Sequence, residues 1–415
     1  MSKNTHLEHL EDSLLMDGKQ GAKDALTYLD DLCSMFVGVP NNHSSVTVKW
    51  DGSPAIFCGK YPGSDRIFVA TKSVFNKNAK INYTKEDVKK NHGHAAGLVE
   101  KLNSCLEYIP RMNPKGVYQG DLLFTDDAEE GVIDGKKCII FTPNKITYCI
   151  PEGDELYDKA KKAGFCVVFH TRYVGNSIDS LSARYGGDFH LDEHDDILVI
   201  SAETESLGSK SLISEKEIQK YRDTRKETLK QIEIAGDLMD IMSEHINSSN
   251  NTWLLGPNMK IFFNKFVRDR KPVSNPDRFA QEFCDWWNAR LKKEIASKKQ
   301  PKSISKYKLH RKDGREIINN NMKELAALVT VYKSIQDAKL PFIDKLGATQ
   351  TRFGTFFKKE DGYQITKPEG YVAIQYGKYA YKIVDRLTFS AETVSYTHLR
   401  AHETVLDLVC RLLLE

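Results

Sequence analysis

The chain has 415 residues, 40% hydrophobic and 28% charged, which allows a sizeable core and more than one domain and excludes a disordered chain. Its formal net charge is only +3, so a polyanionic partner has to be sought in local patches. The eight cysteines form no CxxC pair and read as free thiols of a reducing compartment. The start, MSKNTHLEHLEDSLL, is polar and acidic where a signal peptide is basic and then apolar. With no apolar run of roughly 18 residues, the expectation is a cytoplasmic chain without a membrane span.

Residues 1–38 read as helical. Leu7, Leu10, Leu14 and Leu15, then Ala25, Leu26, Leu29, Leu32 and Phe36 recur at helical spacing, with Asp17-Gly18 between two helices. From Ser45 the pattern changes to short strands, VTVKW, AIFCG and RIFVATK, parted by the turn-forming DGSP and KYPGSD. A polar segment, 76–94, leads into a helix ending near Tyr108. The segments GVYQGDLLF, KKCIIFTP, ITYCIP, FCVVFHTRYV and DDILVISA follow as strands. After about Ser214 the character turns helical, and Ile218, Tyr221, Leu229, Ile232, Leu238, Met239 and Met242 fall on one apolar face. Helices continue through FAQEFCDWWNARLKKEI and NMKELAALVTVYKSIQDAKL; strands return in GYQITKP, GYVAIQYG and YAYKIVDRL. These late strands are too short to fold alone, so a β-rich core interrupted by a helical block is expected.

Residues 395–404, SYTHLRAHET, resemble the translation of a transposase-type sequencing adapter, which makes 394–415 an artefact to be set aside. The alternative is a genuine amphipathic helix in VLDLVCRLLLE. Residues 394–415 hold two cations and three acids, so without them the net charge is +4, and natural sequence after Thr393 would be missing.

The chemistry is concentrated in Val48-Lys49-Trp50-Asp51-Gly52-Ser53-Pro54. A lysine at a strand end followed by Asp-Gly sets an amine beside a tight turn that lets backbone approach a phosphate. To attack phosphorus the amine must be free. Its reference pKa of about 10.4 then has to be lowered by burial or a neighbouring cation, and the same cation would neutralise the phosphate.

KWDGSP resembles the KxDG signature of the covalent lysyl-nucleotidyltransferase superfamily, the DNA ligases, RNA ligases and capping enzymes. A lone KxDG recurs by chance; the order of later segments carries the resemblance. VYQGDLLF resembles the third motif, with Asp121 after Gly120 where the family usually has glutamate. KCIIFTP resembles the aromatic-bearing strand that follows, with Phe141. KPEGYVAI resembles the fourth motif through Glu369, and YAYKIVDR the fifth through Lys382. The family's second lysine is absent, Val384 standing there, with Arg386 as its substitute. THLEHLED, VKWDGSPAIF and FNKNAKINYT also resemble an uncharacterised, ligase-like family of tailed-phage proteins.

The resemblance implies an α+β fold, an antiparallel-sheet nucleotidyltransferase core of the ligase adenylation type with a large helical insertion. Its divisions would be an N-terminal helical segment 1–38, core 39–213, insertion 214–345 and core completion 346–393. It further implies that Lys49 forms a lysyl-AMP from ATP, with Asp51 and Gly52 in the nucleotide site. Lys72 would contact ribose or phosphates, Asp121 ribose or metal, Phe141 the base, Glu369 the metal, and Lys382 the α-phosphate. Mg²⁺ or Mn²⁺ suits such oxygen ligands. The partner would be a nucleic acid with 5′-phosphate and 3′-hydroxyl ends, RNA ahead of DNA, since no OB-fold module is evident after Lys382. If the chain is phage-encoded, its place is the host cytoplasm. Two readings compete: a nucleotide-binding or virion-associated protein without turnover, and nucleotidyl transfer to a protein or a cap-like RNA end. ATP and GTP are not distinguished.

Other features read both ways. The stretch 292–315, from Lys292 to Arg315, holds ten Lys or Arg against two acids and is either a solvated face or linker, or a phosphate-backbone contact. His6 and His9, with Glu8 between them, have the spacing of one helix face but lack further metal ligands, and His92 and His94 sit in a polar loop. Cys33, Cys58 and Cys105 read as inert thiols. Phe141 and Lys72 have equally plain readings, as core and as a solvated side chain.

Overall fold

The structure, a computed structural model, describes residues 7–39, 44–202, 213–248, 252–348, 353–359 and 362–388. His6 and the adapter-like stretch 394–415 lie outside them. The fold is α+β: antiparallel-rich sheets beside a helical body.

The short strand Glu8–His9 (β1) and a 3-10 turn lead into helices Ser13–Met16 (α1) and Gly18–Phe36 (α2). The leading leucines thus begin as strand and turn, and Asp17 separates the two helices as expected. The apolar stripe of α2, from Ala22 and Ala25 to Leu32 and Phe36, packs against Glu215–Asn247 (α6). That helix starts at a reciprocal cap, Ser214 with Glu217. Its expected apolar face is buried, Leu229 only partly. Between α2 and α6 lie Lys85–His92 (α3), Ala96–Tyr108 (α4) and Tyr157–Lys162 (α5); after α6 come Leu255–Arg268 (α7), Pro276–Ser297 (α8), Pro301–Asn320 (α9), Met322–Ala338 (α10) and Leu340–Ala348 (α11). One apolar core runs through α1, α2 and the later helices, so residues 10–36 and the helical block form a common body.

Three sheets complete the molecule. In the first, β1 pairs in parallel with Tyr379–Ile383 (β15), followed by Gly370–Gln375 (β14) and Ser44–Lys49 (β2). Val46, Tyr371, Ala373 and Ile383 turn its inner face onto the helical body. The second orders Ser182–Tyr185 (β10), Phe165–Val174 (β9), Val117–Thr125 (β5), Ala55–Lys60 (β3) and Ile67–Ala70 (β4), with Ile197–Ser201 (β11) parallel to β9. The third orders Gly362–Ile365 (β13), Gly354–Lys359 (β12), Thr147–Pro151 (β8), Lys136–Phe141 (β7) and Glu129–Ile133 (β6). Leu123, Phe124, Phe141, Tyr148, Val168 and Trp50 fill the space between the second and third sheets.

A charged seam joins the helical body to the first sheet. Lys339, between α10 and α11, reaches Glu11 at 2.6 Å with both side chains wholly buried. Arg386, just after β15, donates to the Tyr332 hydroxyl at 2.7 Å and to Asn264, and lies 3.4 Å from Asp12. Lys260 pairs with Glu8 at 2.7 Å. Buried charges persist only when paired in this way.

Candidate active site

Four distant segments meet where the first and second sheets adjoin. β2 delivers Lys49, whose strand partner is Gly370 at the start of β14. That register sets Glu369 against the amine, and Lys49 Nζ donates to Glu369 Oε2. β15, antiparallel to β14, supplies Lys382 to the same cleft, and β5 supplies Asp121. The cleft is also lined by Gln119, His170, Thr171, Tyr185 and Trp50.

The charges sense one another. Burial pushes the Asp121 carboxyl up to about 7, against the pull of Lys49 and Lys382 and with the push of Asp51. Burial also raises Glu369, opposed by its bond to Lys49. Lys382 is lowered, by burial first and then by the Lys49 charge. No hydrogen bond or ion pair engages its ammonium among the described residues. The cleft therefore offers one unpaired cation, one paired amine and a carboxyl that holds a proton near neutrality, an arrangement suited to an anionic ligand.

Asp51 and Gly52 act differently from the expectation. The Asp51 carboxylate accepts from Lys145 N at 2.8 Å, Ile146 N at 2.9 Å and Asn144 Nδ2 at 2.8 Å, while its own N–H donates to the Tyr148 hydroxyl at 2.7 Å. Three of the carboxylate's roughly four acceptor sites are spent on the turn between β7 and β8, so its visible role is to fix the loop after Lys49. At Gly52 a Cβ would stand 2.4 Å from Asp121 Cβ and 3.0 Å from the Leu122 carbonyl. The close approach it permits is to β5.

Three expected residues do not reach the cleft. Phe141 is 2% exposed, stacked on Tyr148 at 5.5 Å and packed on Phe124; it is core, and no base can reach it. Lys72 lies in an exposed 3-10 turn after β4 and is not among the cleft residues. Arg386 is committed to the charged seam and does not replace the missing second lysine.

His170 was missed. The β5–β9 register shifts between Gln119 and Gly120, which face Thr171 and Phe169 and leave His170 as the extra residue of a bulge. Bulges re-aim side chains; here the ring comes within 3.8 Å of Asp121 Oδ2, while Nδ1 shares a hydrogen bond with Thr171 Oγ1 at 2.8 Å. Burial and the Lys49 charge pull its pKa down to about 4, so the imidazole is neutral. The only trace in the sequence is the polar His-Thr pair breaking an apolar strand.

The tempting metal readings find no support. His9 is half-buried in β1 and well below its ordinary pKa through desolvation and then Arg386, and His92 is buried at the end of α3. Among the described residues no three His, Cys, Asp or Glu side chains cluster closely enough to hold a metal ion. None of their helices is long and apolar enough to cross a membrane, and their seven cysteines are free thiols.

Compared with known proteins, residues 4–396 match a family described as "Family of unknown function (DUF6267)". No curated protein and no solved structure matches the chain.

Proposed function

The chain belongs to this family of unknown function, and we propose that it is a lysine-dependent nucleotidyltransferase, an ATP-dependent polynucleotide ligase-like enzyme built on a nucleotidyltransferase core. The observation that carries the reading is that Lys49, Asp121 and Lys382 line one cleft from separate segments while Glu369 bonds the Lys49 amine, in the motif order of the resemblance. In the first step Lys49 Nζ attacks the α-phosphorus of ATP. A P–N bond forms, the bond to the β-phosphate oxygen breaks, and pyrophosphate leaves. Glu369, already bonded to the amine, is placed to take the departing proton. Lys382 neutralises the α-phosphate oxygens. A 5′-phosphate, of RNA ahead of DNA, then displaces the lysine to give a capped end. Attack by a 3′-hydroxyl closes the strand and releases AMP.

The donor set fits a divalent cation carried in by the phosphates better than a resident one. Asp121 and Glu369 are two carboxyls held high by burial, and Mg²⁺ typically takes one or two protein carboxylates with phosphate oxygens. Such an ion, or Mn²⁺, would supply charge neutralisation at the triphosphate.

The direct test is incubation with α-labelled ATP and Mg²⁺, followed by denaturation. Label that stays on the chain, and falls to background in Lys49→Ala, is the expected result. The absence of label with every nucleoside triphosphate sinks the reading. A second reading, reversible nucleotide binding without turnover, is favoured by the Lys49–Glu369 pair and by the commitment of Arg386 elsewhere. It predicts saturable ATP binding with no adduct. An adduct that never passes to a polynucleotide end would point instead to a protein or cap-like RNA acceptor.

A further inference from the structure

The basic stretch 292–315 is a hairpin of two helices. It spans the last turns of α8, a short connection and most of α9. It carries net +8 within a chain of net +3, so the other 391 residues are net −5. The net positive charge of this protein is therefore gathered at one place.

Of the ten cations, Lys298 pairs with Glu294 and Arg311 donates to Asn288 Oδ1 at 2.7 Å. The other eight are exposed: Lys292, Lys293 and Lys299 around the connection, and Lys302, Lys306, Lys308, Lys312 and Arg315 along α9. None of them makes an ion pair among the described residues. From 302 to 315 they cover about 20 Å of helix at 1.5 Å per residue, a length over which a duplex presents about a dozen phosphate charges.

The hairpin is also held rigidly. Gly314 is buried against Trp287, where a Cβ would meet the indole at 2.3 Å, and Tyr307 packs edge-on against Trp253 with Lys298 over its ring. Tyr307, Ile317 and Ile318 of α9 pack on the helical body, which leaves Leu309 as its one exposed large apolar side chain, where an amphipathic membrane helix requires a whole apolar face. The aromatic ring is likewise engaged internally, so no stacking platform faces outward to read bases.

We propose that the α8–α9 hairpin is a docking surface for the phosphate backbone of a polynucleotide, without base preference. The surface binds whether or not the cleft turns over, and it is measured without nucleotide, so failure here is distinct from failure of the lysyl-nucleotide reading.

The experiment is fluorescence anisotropy of the full chain with labelled 30-nucleotide single strands of RNA and DNA and a 30-base-pair duplex, from 50 to 200 mM KCl. Contacts by most of the eight cations give a slope of log K against log salt of about −4 to −6, and roughly a thousandfold loss over that range. Lys292→Glu, Lys293→Glu, Lys302→Glu and Lys306→Glu combined should weaken binding by at least about tenfold and flatten the slope. Lys216→Glu with Lys220→Glu, on the exposed side of α6, should leave both unchanged. The uncharged glutamine versions at the four hairpin positions, with thermal unfolding, separate lost binding from lost fold. Absence of binding at 50 mM KCl, unchanged affinity in a folded hairpin variant, a strong dependence on base sequence, or capture by phosphatidylserine vesicles in place of oligonucleotides would each overturn the proposal.

Discussion

Asp121 stands in the cleft as a carboxyl whose proton is held to about pH 7 by burial. A folded-state pKa above the unfolded value of 3.8 means that stability is fully present below pH 3.8 and declines as pH rises through 7. Each unit is worth about 1.4 kcal/mol, but a fifth of the side chain touches solvent, which screens part of the cost. Asp121→Asn should therefore stabilise the fold by ~1–3 kcal/mol above pH 7 and by little at pH 4. Thermal unfolding of both proteins across that range decides it: an equal shift at both ends would mean that the carboxyl does not titrate in the fold. Gly52 makes a second demand at this scale. Gly52→Ala places a methyl against the backbone of β5, and overpacking of this kind costs about 1–3 kcal/mol. Denaturant titration should show that loss, together with a weakened response to ATP because Asp121 is displaced.

Among elements, strands were more legible than their partners. VTVKW, AIFCG, GVYQGDLLF, ITYCIP and GYVAIQYG announced β2, β3, β5, β8 and β14 through their apolar, β-branched content. β1, β6, β10 and β12 went unseen, the first because two residues carry no period and β6 because EEGVI has too few apolar residues to show one. The polar segment at 76–94 hides α3, which is fixed by the reciprocal cap of Thr84 and Asp87 and not by an apolar face. Motif order singled out Lys49, Asp121 and Lys382, which line one cleft, and Glu369, which bonds Lys49; Phe141 takes the core position that was one of its two readings, whereas the bonds of Asp51 depend on the β7–β8 turn folding back over the loop after Lys49. His170 depends on a bulge, and a bulge is set by the register of two strands, which no single strand encodes.

At the scale of the molecule, the helical body is bound to the first sheet through charge as well as apolar packing. Lys339→Met leaves Glu11 buried and uncompensated, with only Arg386 at 3.6 Å in partial relief. It should destabilise the whole chain by about 3–5 kcal/mol. Adding Glu11→Leu should recover a good part of that loss, and calorimetry of the single and double variants tests the pair. If the single variant unfolds like the parent, the seam contributes nothing.

The strand pairing of the first sheet has a consequence for synthesis. Lys49 and Glu369 are 320 positions apart, and β2 has β14 as its ladder partner. At about 5–20 residues per second, a nascent chain carries the amine for roughly 15–60 s before the acid leaves the ribosome. Through that interval the edge of β2 that pairs with β14 has no ladder partner, and premature termination before residue 369 would release a polypeptide with a lysine but no cleft.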